Sequence, residues 1–279
     1  MGHTLAEKIL MHNTGVADCK PGDIVITHPD CVMFHDIYTT NVYRKFKEMG
    51  FTKSWDAEKV IIMFDHLIPT CLPLDGDHMK HGYQFAEEFG ARKVHAGDGI
   101  CHQLMPELGY ARPGNVVFVT DSHTTTYGAV SAFSTGIGYT EMAAILGTGE
   151  MWVRVPSAIK IQIDGTLPDG VCSKDIALRV LGDLKAAGGT YKSLELCGST
   201  INTNHVDERL TIANMAVECG AKVGLFAPTK ESCAYSNVNY DDVSWLHFDD
   251  DAEYEKVLTY KAEDMVPYID AHPYVDNVK

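Results

Sequence analysis

The sequence predicts an α/β protein. A three-layer α/β/α domain on a mostly parallel sheet is expected over residues 1–156, and a second, smaller α/β domain over 157–279. Three observations carry that expectation. Val60-Ile61-Ile62-Met63-Phe64 and Val116-Val117-Phe118-Val119-Thr120 are unbroken apolar runs of strand length, and a strand apolar on both faces belongs inside a parallel sheet. Each run ends in polar, chemistry-bearing residues, at the place where open parallel sheets collect ligand-binding groups. Beyond Pro156 the pattern restarts as shorter strand–helix units.

Taken in order, His3 to Leu10 reads as a short helix and Pro21-Gly22 as a turn before a strand over Asp23–Thr27. His35 and Asp36 stand just ahead of a helical pattern that continues to Lys47. The strand 60–64 ends in Asp65-His66. Tyr83 to Phe89 is helical, with Phe85 and Phe89 on one face and Gly90 as its left-handed stop. Arg92 to His95 leads into Gly97-Asp98-Gly99-Ile100-Cys101-His102, and the strand 116–120 ends in Asp121-Ser122-His123. Thr124 to Thr126 are placed to cap the next helix, whose free amides would favour an anion; a plain turn-and-cap role is the alternative.

In the second domain a strand is expected over Ser157–Ile163 and an amphipathic helix over Ser173–Ala187, stopped by Gly188-Gly189. A helix over His205–Cys219, closed by Gly220, carries Thr211, Asn214 and Glu218 on one face, and Lys222–Phe226 is the next strand. The acidic run Asp249-Asp250-Asp251 with Glu253 and Glu255 reads as a solvated helix start, and residues 271–279 as an extended linker.

Composition narrows the function classes. No apolar run reaches the roughly 18 residues of a membrane helix, and the N-terminus lacks a signal-peptide core, so a cytoplasmic protein is the default. A formal charge of −15 argues against nucleic acid and anionic membranes as partners, though not against a small acidic substrate in a locally positive pocket. The eight cysteines (Cys19, Cys31, Cys71, Cys101, Cys172, Cys197, Cys219 and Cys233) contain no C-x-x-C pair and are expected as reduced, mostly buried thiols.

Three successive strands deliver a histidine near their ends: His66, His102 and His123. Asp65 and Asp121 stand beside two of them, and Asp98 four residues before the third. One such histidine is ordinarily structural. Three on parallel strands are brought to one sheet edge, where a neighbouring carboxylate fixes an imidazole's tautomer and holds it cationic.

The stretches HTLAEKIL (3–10), FDHLIPT (64–70), GDGICHQ (97–103), VTDSHTTTYGA (119–129), GIGYTEM (136–142) and TIANMAVECGA (211–221) resemble the aconitase superfamily. Within it the likeness is to the large subunit of 3-isopropylmalate dehydratase and its homoaconitase-like relatives, over essentially the whole chain. The resemblance implies a hydro-lyase acting on a 2-hydroxy di- or tricarboxylate, with one iron of a [4Fe–4S] cluster as Lewis acid. It implies carboxylate–histidine pairs of Asp65 with His66, His102 with Glu218, and Asp121 with His123. Ser122 and Asn214 resemble groups that hydrogen-bond substrate or cluster, and His35 a residue on the substrate side. The family's cluster cysteines, catalytic serine and substrate arginines have no match here; Cys71 and Cys101 lie near the motifs but not at ligand positions, so no metal ligand is assigned. The chain therefore reads as the first two domains of a large subunit, followed by a cluster-binding domain it does not contain. A small swivel-domain subunit is the implied partner, and negligible activity is expected of the chain alone. Two other readings stay open on the residues: a mononuclear-metal hydrolase or lyase with His66, His102 and His123 as ligands and Glu218 or Asp121 as base, and a non-catalytic carboxylate-binding module.

Overall fold

The computed structural model describes residues 2–279. In chain order the strands are β1 (Ile24–Thr27), β2 (Cys31–His35), β3 (Val60–Phe64), β4 (Lys93–Ala96), β5 (Val116–Val119), β6 (Phe133–Gly136), β7 (Met151–Arg154), β8 (Ala158–Asp164), β9 (Ser193–Cys197), β10 (Val223–Phe226) and β11 (Lys256–Lys261). The helices are α1 (Leu5–Thr14), α2 (Asp36–Glu48), α3 (Pro73–Phe85), α4 (Cys101–Glu107), α5 (Tyr139–Thr148), α6 (Ser173–Gly188), α7 (Ser199–Thr203), α8 (Val206–Asn214) and α9 (Lys230–Tyr235).

Five strands form one wholly parallel sheet in the order β4-β3-β2-β5-β6. Alternate residues of its central strands go to opposite faces, as the pleat requires. Val32, Phe34, Ile62, Phe64 and Phe118 pack with Leu5, Phe46, Phe85 and Leu146 from α1, α2, α3 and α5. Met33, Ile61, Met63, Val117 and Val119 pack with Met105 of α4, Tyr127 and Ala213 of α8. Helices on both faces of an apolar parallel sheet give the three layers expected of the first half. β1 and β7 form a separate antiparallel pair.

The second sheet, in the order β10-β9-β8-β11, is also parallel throughout. Two of its strands escaped the sequence reading. β9 carries Glu195 in its centre, and β11 is an edge strand of mixed polarity. Glu195 is fully buried and accepts hydrogen bonds from Leu5 N (3.1 Å) and Ala6 N (3.0 Å), so the second sheet caps the first helix of the chain. Both cores draw residues from both sheets. The closest approach is at Gly128 and Gly224, where a Cβ on Gly128 would collide with the Gly224 carbonyl.

Several expectations are corrected. The 205–219 helix is α-helical only to Asn214 and tightens into a 3₁₀ turn over Met215–Cys219. The expected 83–89 helix begins earlier, at Pro73, and ends through a π turn, Ala86–Gly90. The acidic run is a turn rather than a helix start, because Asp249 is drawn to Lys8 Nζ (2.5 Å) and His3 N (2.9 Å). Residues 271–279 are not an extended linker. Ile269 and Lys279 exchange backbone hydrogen bonds, and Asp276 accepts from Ala186 N, so the segment folds back onto α6.

Candidate functional site

Parallel register brings the ends of β2, β3 and β5 side by side: Met33 is level with Val119, and His35 with Met63. The residues just past those ends are His35-Asp36, Asp65-His66 and Asp121, and they form one connected network.

Asp121 is its centre. It caps the 3₁₀ helix Ser122–Val130, accepting from His123 N at 2.8 Å. The cap is therefore Asp121 and not the threonines, whose hydroxyls donate instead to the carbonyls of Asp121, Asn214 and His123. The same Oδ1 accepts from His102 Nε2 at 2.8 Å, while Oδ2 faces His66 Nε2 at 3.6 Å and His35 Nε2 at 3.7 Å. Burial opposes the Asp121 charge, but the hydrogen bonds from His102 and His66 outweigh it and hold the carboxyl far below the ordinary range.

His66 Nδ1 lies 2.7 Å from Asp65 Oδ1, and Asp65 Oδ2 accepts from Cys101 N at 2.7 Å. Burial works against Asp65 too, yet the bonds from His66 and Cys101 bring its pKa down to about 2. His66 sits between the carboxylates of Asp121 and Asp65, which push its pKa up to about 10 against the opposing effect of burial. It is a standing imidazolium at neutral pH. Asp36 orients this corner, accepting from Leu67 N (2.8 Å) and His66 N (3.2 Å).

Across the cleft, His123 Nε2 meets Glu218 Oε1 at 3.2 Å, and Ser122 Oγ lies 3.2 Å from His123 Nδ1. The His102 and His123 rings are 6.4 Å apart. Asn214 donates to Thr126 Oγ1 at 3.0 Å and shares a hollow with His102 and Thr211, so the polar line on the 205–219 segment faces the site.

The structure thus gathers Asp65, His66, His102, Asp121, His123, Glu218, Ser122 and Asn214, and corrects two details. The Asp65–His66 pair forms as expected, but the other two exchange partners: His102 bonds Asp121, and His123 bonds Glu218. His35 does not face the substrate side. It is 1% exposed, its Nε2 donates to Thr120 O (3.0 Å), and its ring stacks 4.1 Å behind that of His66. Its place is to back His66. Sequence reasoning missed Tyr127, whose buried hydroxyl lies 3.2 Å from His102 Nδ1. Four residues after His123 in the same motif, it offered no signal beyond proximity.

The geometry also bears on metals. His66, His102 and His123 do not form one ligand set, since the Nε2 atoms of His102 and His123 are committed to different carboxylates. Among the described residues, potential ligand atoms come together in the trios His35, His66, Asp121 and Asp65, His66, Cys101. The cysteines do not fit a four-iron cluster, which needs convergent thiolates. Six of the eight are buried, and the two exposed ones, Cys71 and Cys172, lie on different halves of the chain. Cys71 and Cys172 are the exceptions to the mostly buried thiols expected. Burial pushes the Cys101 thiol, the one nearest the site, well above its usual range.

The model of the aconitase family (aconitate hydratase) covers residues 7–277. The chain is 40% identical over 281 residues to 3-isopropylmalate dehydratase large subunit 1 of Methanopyrus kandleri, covering all of this chain and 67% of that protein. It is 39% identical over 272 residues to the large subunit of Halothermothrix orenii, covering 96% of this chain and 65% of that protein. For large subunit 1 of Thermotoga maritima the identity is 40% over 281 residues, covering all of this chain and 66% of that protein. The chain spans about two thirds of the length of these relatives. Matched along nearly its whole length, the chain belongs to the aconitase family.

Proposed function

We propose that this chain is the large-subunit portion of a hydro-lyase of the 3-isopropylmalate dehydratase kind, which removes water from a 2-hydroxy di- or tricarboxylate and restores it at the neighbouring carbon. The observation that carries this is the pair of carboxylates around His66, at 2.7 and 3.6 Å. A hydroxyl leaves a saturated carbon only when protonated or otherwise neutralised. An imidazolium held between two anions at a cleft supplies that proton at neutral pH. Asp121 joins it to His102, whose other nitrogen meets Tyr127, so the two histidines are fixed in tautomer and orientation. His123 with Glu218 stands on the more open side, its ring 38% exposed, next to the Ser122 hydroxyl, and there it hydrogen-bonds the water or hydroxyl being exchanged. His35 and Asp36 hold the scaffold.

The cysteines here do not converge on a cluster site. A small subunit is the proposed partner, as the relatives' name of large subunit suggests. Among the described residues no helix is long and apolar enough to cross a membrane, and eight unpaired thiols fit the reducing cytoplasm.

The test is turnover of 2-isopropylmalate by the complete enzyme assembled with its small subunit, followed by the ultraviolet absorbance of the unsaturated acid. Glu218→Gln should lower kcat by about 10²- to 10⁴-fold, and the isolated chain should show no turnover. A complete enzyme that dehydrates no 2-hydroxy di- or tricarboxylate, or a Glu218→Gln enzyme running at the wild-type rate, overturns the proposal.

A further inference from the structure

Beside Asp121 lies an open cleft of about 390 Å³, lined by Tyr38, Asp121, Ser122, Thr125, Thr135 and, as its only basic side chain, Lys222. Lys222 is set just before β10, where its backbone N–H donates to Lys192 O in the second sheet. Its ammonium sits 5.3 Å from the centre of the Tyr191 ring, which the Arg154 guanidinium also approaches, at 4.5 Å. Two cations thus share one aromatic ring. The opposite charge that acts on Lys222 is Glu141, beyond ion-pair distance, and burial holds the amine below its ordinary pKa. Lys222 lines the open cleft, and its partly buried ammonium, without a carboxylate at ion-pair distance among the described residues, lacks the counter-charge that such a position calls for.

The proposed substrate brings that counter-charge. A 2-hydroxy dicarboxylate entering this site meets Asp121 and Glu218, with the buried Asp65 and Asp36 behind them, four carboxylates that repel it. Its natural attractor, His66, is already neutralised by two of them. Whatever cation this chain itself offers a dianion must therefore lie outside that network.

We propose that Lys222 is that cation: a substrate-binding residue that takes one carboxylate of the 2-hydroxy acid across the cleft from Asp121, with Tyr191 as the positioning residue that keeps the ammonium in place. This rests on the hydro-lyase reading above and names the group in this chain that recognises its substrate's charge.

The experiment compares Lys222→Met and Lys222→Arg with wild type in the complete enzyme, together with calorimetric titration of 2-isopropylmalate into each. Lys222→Met should raise KM and weaken binding by about 10- to 100-fold, with kcat changed by less than about threefold. Lys222→Arg should recover most of the affinity, and both variants should melt with the wild type. Unchanged KM and affinity in Lys222→Met, or a loss confined to kcat, overturns the assignment and leaves the hydro-lyase reading standing. Absence of turnover in the wild-type complete enzyme overturns that reading and this one together. A loss of affinity that arginine does not restore also counts against Lys222, since a carboxylate partner accepts either cation.

Discussion

Asp121→Asn removes the central charge of the network while keeping its shape. Asparagine is as good a helix cap as aspartate, so the bond from His123 N survives. What is lost is the anion facing His66 Nε2 at 3.6 Å and the charge-assisted bond from His102 at 2.8 Å. At 3.6 Å a unit pair is worth about 1 kcal/mol in a water-like dielectric and about 5 kcal/mol at an effective dielectric of 20. His66, 30% exposed, lies between those limits. At about 1.4 kcal/mol per pKa unit, its pKa should fall from about 10 by roughly 1–3 units. The NMR titration of the His66 Cε1–H resonance between pH 5 and 11 reads this directly. The stability consequence has a definite sign. A histidine whose folded pKa is raised contributes stability fully below its unfolded value, near 6.5, and loses it as pH rises through about 10. The variant should therefore be less stable than wild type by roughly 2–4 kcal/mol at pH 6 in urea melts, with the gap narrowing toward pH 11. A His66 titration moved by less than half a unit, or a gap constant across that range, refutes the reasoning.

Two further predictions concern how the halves are joined. Gly128→Ala places a methyl against the Gly224 carbonyl, and since both partners are backbone, neither can rotate away. It should destabilise by roughly 3 kcal/mol or more, and a melting temperature within a degree of wild type would show that the contact is not tight. Glu195, fully buried, has its pKa raised to about 7, chiefly by burial and against the backbone donors of Ala6 and Leu5. Folding thus favours its protonated form, and the stability it gives, full below about pH 4.5, is lost as pH rises through 7. Glu195→Gln abolishes this term, so its stability relative to wild type should improve between pH 4.5 and 8 by up to roughly 3 kcal/mol. A wild-type-minus-variant difference independent of pH in urea melts would contradict it.

Two strands of the first sheet, β3 and β5, were legible because they are apolar on both faces, whereas β6, with Ser134 and Thr135 inside it, was not read as a strand. Val60–Phe64 and Val116–Val119 could be little else, and a parallel sheet then puts Asp65-His66 and Asp121 at one edge. β9 was not legible, because a glutamate at its centre looks like a surface residue. Only the approach of α1, whose first amides need an acceptor, makes Glu195 an interior group. The C-terminal segment was misread for a similar reason. Asp276 looks solvent-facing until the Ala186 amide that it binds is known. In each case the signal that sequence lacked was a tertiary partner for a polar atom.

The exchange of carboxylate partners shows the same limit acting on the chemistry. Adjacency in the motif suggested that Asp121 serves His123, but Asp121 ends a strand and begins a 3₁₀ helix. In that conformation its Oδ1 accepts the backbone N–H of His123 at 2.8 Å and stays 4.0 Å from the ring nitrogen Nδ1, too far for a hydrogen bond. The imidazole, two residues on, leaves in a different direction, toward Glu218 from the second half of the chain. The carboxylate freed from that ring accepts His102, delivered by α4, and faces His66, delivered by β3. One cap geometry therefore turns three local Asp–His neighbours into a network spanning three segments of the first half, and gives the second half one anchor at the site through Glu218. If the close contact at Gly128 is loosened, the His123–Glu218 pair should part first, while His66 keeps both of its carboxylates and its raised pKa. Histidine titrations in Gly128→Ala test this. A His66 pKa that falls in this variant would mean that the network is not local to the first half.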